Sequence, residues 1–97
     1  MVTHEERMEA LEAGRILQSS VFLRSFDTLD ARYVQAWRAS SDAEEREKWW
    51  YMQRVIADVK KELFEVLQCA AIKNHGKDET LNAALNAVKE KKNGRKS

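Results

Sequence analysis

An all-α fold, a bundle of three to four helices, follows from three observations on this 97-residue chain. Proline is absent and only three glycines occur, so little interrupts long helices. Apolar residues recur at steps of three and four along most of the sequence, the spacing of one helix face. Charged residues make up 34% of the chain, enough to line the outer faces such helices turn to water. The 43% apolar share supports one modest core, so residues 1–92 are read as a single helical domain and 93–97 as a basic flexible tail.

Thr3-His4-Glu5-Glu6 has the hydroxyl-to-carboxylate spacing of a capping box and opens a first helix to about Gln18, with Met8, Leu11, Ile16 and Leu17 as its apolar residues. Gly14 costs about 1 kcal/mol relative to alanine inside a helix, so it marks either a weak point or a close crossing with a neighbour. Ser19-Ser20 provides a break and a new cap. A second helix, about Val21 to Ala39, carries Phe22, Phe26, Leu29, Tyr33, Ala36 and Trp37 on one face. The short Ser40-Ser41-Asp42 connection sets the next helix antiparallel to it.

The third helix is the organising element. Ser41-Asp42-Ala43-Glu44 reads as its capping box, and Gly76 suits a left-handed residue beyond its end at His75. Trp49, Met52, Ile56, Val59, Leu63, Val66 and Ala70 alternate in steps of three and four, two positions of successive heptads as in a coiled coil. A second row, Trp50, Ala57, Phe64 and Ala71, is spaced by seven on an adjoining face, with Val55, Leu67 and Cys69 widening the stripe. Such a helix is about 50 Å long, whereas a sphere of this chain length is about 30 Å across. The fold expected is thus an antiparallel helical hairpin on one long central helix, with short terminal helices. After Gly76, Asp78 caps a fourth helix to about Lys92, with Leu81, Ala84, Leu85 and Val88 on one face.

Seventeen basic and sixteen acidic residues leave a net charge of +1, so no global field draws the chain to nucleic acid or an anionic membrane. With one cysteine, Cys69, neither an internal disulfide nor a cysteine-rich metal site exists, which favours a reducing compartment. The N-terminus lacks the charge-then-apolar order of a signal peptide, and no apolar run reaches the length of a membrane span. A cytoplasmic location is expected, the host cytoplasm if the chain is phage-encoded.

His4 and His75 have no second ligand at helical spacing, and His75 is read as a C-terminal capping residue. Cys69, beside the apolar seam, is read as a small buried hydrophobe. Glu44, Glu45, Glu47, Asp58, Glu62 and Glu65 are interspersed with lysines and arginines, the pattern of a solvated face. No phosphate-cradling loop, nucleophile elbow or HExxH motif is present. No enzymatic activity, cofactor or metal is therefore expected.

Two kinds of contact residue remain. Trp37, Trp49, Trp50 and Tyr51 form an aromatic cluster read as a core end-plug, but Trp49 and Trp50 are about 100° apart around the helix and cannot both face one neighbour. Trp50, with Ala57, Phe64, Leu67 and Ala71, is the expected partner-binding face, taken up by a protein partner or by another copy of the chain. The alternative is nucleic-acid binding through the C-terminal basic cluster Lys89, Lys91, Lys92, Arg95 and Lys96.

The order Phe22, Phe26, Leu29, Tyr33, Trp37, then Arg46-Glu47 and Trp49 before a long amphipathic helix resembles small helical proteins encoded in tailed-phage and prophage genomes. The resemblance spans Leu11 to Leu67. It implies an all-helical packaging, scaffolding or host-factor-binding component. Terminase small subunits, which are helical, ring-forming and DNA-binding, are one comparison. This chain departs from them in lacking an N-terminal DNA-reading motif.

Overall fold

The computed structural model describes residues 2–93, with side chains to Lys91. These residues form four helices and no strands: α1 (His4–Gln18), α2 (Ser20–Ala39), α3 (Ala43–Lys73) and α4 (Glu79–Asn93). Residues 94–97, most of the expected tail, lie outside the described residues.

Local chemistry sets the boundaries. Thr3 and Glu6 form a complete capping box, each side chain accepting from the other's backbone N–H at 3.1 Å. Ser19 has extended backbone, caps the end of α1, and accepts from Phe22 N–H at the start of α2. The cap of α3 is Asp42, which accepts from Glu45 N–H, and not the Ser41–Glu44 box expected. Asp42 carries a stronger, charged acceptor, which suits the positive end of the helix dipole. α3 also stops two residues early. His75 and Gly76 both have left-handed backbone, φ 56° and 69°, and Gly76 N–H returns to Ala71 O. Histidine tolerates that region better than most residues, so His75 belongs to the turn and not to the last helical turn. Asp78 then accepts from Thr80 and Leu81 N–H to start α4.

Tyr33 near the end of α2 stacks on Trp49 near the start of α3, ring centroids 5.7 Å apart. At the other end of α2, Leu23 shares a cleft with Ala57 and Phe64. α2 therefore packs on α3, and so does α1. The Glu6–Lys73 ion pair, 2.8 Å, ties the start of α1 to the end of α3. Arg7 to Asp78, 2.7 Å, joins the starts of α1 and α4, while Lys91 Nζ donates to Gln18 O near their ends. α4 thus runs parallel to α1 and packs on both α1 and α3.

Among the described residues, the fully buried side chains lie at this three-helix end. Ala10, Leu17, Leu67, Ala70, Ala71, Leu81 and Val88 form the core, and α2 contributes no buried residue. Small residues let the helices approach: a Cβ on Gly14 would lie 3.4 Å from both Ala84 Cβ and a Leu67 methyl. Gly14 therefore sits at a helix crossing with room for about one methyl group. The result is a slab of 52 × 29 × 18 Å with radius of gyration 16.4 Å, against about 12–13 Å for a compact chain of this length.

Candidate functional site

A row repeating every seven residues on a straight helix drifts by about 20° per heptad, because seven residues fall short of two full turns. Over α3 this reshuffles the two apolar rows. Trp50 is 46% exposed, Ala57 is exposed, Phe64 is half-buried, and Ala71 is buried: the row begins in water and turns into the core. Leu67 and Ala71 accordingly leave the expected docking face. Both are sealed inside the chain's own core beside Leu81 and Val88 of α4, which occupies the groove that sequence spacing left open.

The seam is interrupted at one place: Met52 is half-buried, Val59, one heptad on, is 43% exposed, and Val66 beyond it is half-buried again. Tyr51, 55% exposed, and Val55, 52% exposed, stand beside Val59. Tyr51, Val55 and Val59 succeed one another at steps of four and make a continuous uncovered apolar row. Sequence spacing assigned Val59 to the seam and Tyr51 to the end-plug. The signal that would have moved Tyr51 was its angle: two residues on, it stands about 160° around the helix from Trp49.

The aromatic cluster is consequently no plug. Trp49 lies beneath Tyr33, with the Lys48 ammonium 4.8 Å from its ring centre. Trp37 is covered by the Arg46 guanidinium at 4.6 Å. Trp50 meets Tyr51 edge-on at 5.2 Å and carries Arg54 at 5.3 Å. Cations over ring faces shield aromatic surface in water. Tyr51, Val55 and Val59 have no such cover in these contacts.

Where α4 ends, Leu17, Leu23, Ala57, Phe64 and Val88 line a cleft of about 460 Å³ with Lys60, Lys61 and Lys91 at its rim. Of the expected nucleic-acid cluster, Lys89 and Lys91 are exposed, and Lys91 is already tied to Gln18 O. The side chain of Lys92, and Arg95 and Lys96 altogether, lie outside the described residues.

Two carboxylates are displaced from their ordinary values, both at joints between helices. Glu6 is held down to about 2 by the hydrogen bond from Lys73, then by those from Thr3. Asp78 is lowered by Arg7, then by Leu81 N–H. Cys69 is exposed, not buried as expected, because it lies on the same outward side of α3 as Tyr51, about five turns on. Among the described residues no group of three or more His, Cys, Asp or Glu side chains could hold a metal ion, and no helix is long and apolar enough to cross a membrane.

No protein-family model, no curated protein and no solved structure matches this chain.

Proposed function

We propose that the chain is a non-enzymatic helical interaction protein whose α2–α3 hairpin, built on the long central helix, docks a helical protein surface through the N-terminal half of α3. The observation that carries this reading is the uncovered row Tyr51, Val55 and Val59, each close to half exposed or more. Single exposed apolar residues are ordinary on a protein surface, but a contiguous row with an adjoining exposed tryptophan is the composition of an interface core. The buried core lies at the other end of the molecule and includes none of the three. Trp50, edge-on to Tyr51, borders the row, whereas Ala57 lies about 160° around α3 from Val55, on the side of the α2 cleft.

The test is site-specific photo-cross-linking in the native cell. A photoreactive aromatic residue replacing Tyr51 is expected to give discrete protein adducts, whereas the same residue at exposed Glu12 on α1 gives none. Equal or absent adducts at the two positions would overturn the reading.

A further inference from the structure

Resting on the docking role just proposed, we infer that the occupant of the Tyr51–Val59 row is a second copy of this chain, laid antiparallel across it with the two-fold axis at Val55. At 100° per residue, Lys48, Tyr51, Val55, Val59 and Glu62 fall within about 80° of arc on α3. All five are exposed. Their order, a cation, three apolar residues and a carboxylate, is symmetric in spacing and opposite in charge about Val55. Antiparallel pairing on that centre sets Val55 against Val55, Tyr51 against Val59, and Lys48 against Glu62 of the other copy, each of the last two twice.

Beside the line, the same rotation aligns Arg54 with Asp58 and Glu47 with Glu65 of opposite copies, one opposite and one like pair about 60–100° from the contact, which leaves the choice of register to Lys48 and Glu62. No described ion pair within the chain uses Lys48, Arg54, Asp58 or Glu62, so no internal bridge need break. Lys48 must swing off the Trp49 ring, and any Arg54–Asp58 pairing needs Arg54 off that of Trp50.

Competing registers are worse. Sliding one helix by a turn in one direction sets Glu44 against Glu62, two like pairs that offset the Lys48–Asp58 pairs it also aligns and set Val59 against Glu47, and in the other direction buries Glu62 against Met52. A parallel in-register pair keeps the valines together but opposes Lys48 to Lys48 and Glu62 to Glu62. Charge patterning therefore selects orientation and register. The contact from Glu44 to Val66 is about 34 Å long and about one helix wide. That is below the standard size of a specific interface, so dissociation on the order of micromolar or weaker is expected.

Two measurements on the purified full chain test this. In a Cys69→Ser background, Val55→Cys should oxidise readily to a disulfide dimer at tens of micromolar, and Ala57→Cys should not. By light scattering or sedimentation, Lys48→Glu and Glu62→Lys should each weaken the dimer by about tenfold. The double swap should restore it, with helicity confirming that each variant is folded. A monomer at all concentrations, equal cross-linking at position 57, or no rescue by the double swap would overturn the inference. Tyr51 photo-adducts with a different protein in cells, alongside a monomer in purified form, would leave the docking role standing and remove only the second copy.

Discussion

Gly14 offers the sharpest test of how the helices meet. In Gly14→Ala, the replaced glycine gains about 1 kcal/mol of helix propensity. The new Cβ meets Ala84 Cβ and a Leu67 methyl at 3.4 Å, only slightly inside the 3.5–4.0 Å optimum for carbon pairs. A shift of a few tenths of an ångström relieves that, and helix ends in a bundle of this size yield so much. The expected net effect is a stabilisation of about 0.5–1 kcal/mol, a rise in melting temperature of about 2–8 °C. Gly14→Leu forces three further carbons into space that α4 and Leu67 already fill, and overpacking of this kind costs about 1–3 kcal/mol. Urea unfolding followed by circular dichroism measures both. Alanine costing more than about 1 kcal/mol would show a crossing closer than described. Leucine without penalty would show that α4 does not dock on α1, and would refute the three-helix core.

Other consequences are as direct. Leu67→Ala, at a fully buried position, should cost about 3 kcal/mol by urea unfolding, whereas Ile72→Ala on the exposed face of the same helix should stay within about 0.5 kcal/mol. A smaller difference would contradict the asymmetry of the core. Glu6 has a folded pKa below its unfolded value near 4.3, so its contribution is complete above that value and is lost as pH falls towards about 2. Unfolding measured across that window should show a shallower acid slope in Glu6→Gln; an unchanged slope would remove the Lys73 pair from the account. Tyr33 and Trp49, stacked at 5.7 Å, should show a coupling of about 0.5–1.5 kcal/mol in a double-mutant cycle to alanine, and a value near zero would mean that α2 does not pack on α3.

Helix existence was legible residue by residue, because caps are local chemistry. Thr3 with Glu6, Ser19 and Asp78 each satisfy backbone groups within three residues, and each lies where spacing alone put it. The end of α3 was less legible, since His75 shares the left-handed turn with Gly76 and nothing in its identity demands that. The candidate surface was half legible. Apolar rows on α3 could be counted, but which of their members meet water depends on two quantities that spacing does not carry: whether the helix runs straight, so that a seven-residue row rotates, or supercoils, so that it does not, and the side on which α4 comes to rest.

The amino-acid sequence by itself determined that this chain is helical, where its helices start, and that its third helix is longer than a globule of this size can enclose. Those are properties of neighbouring residues and of period, and they need no partner to be expressed. Only tertiary structure decided that Leu67 and Ala71 lie inside while Tyr51, Val55 and Val59 lie outside. Burial belongs to the helices that pack together, and α4, placed by Gly14, Arg7 and Gln18 on a distant part of the chain, covers one end of α3 and leaves the other to water.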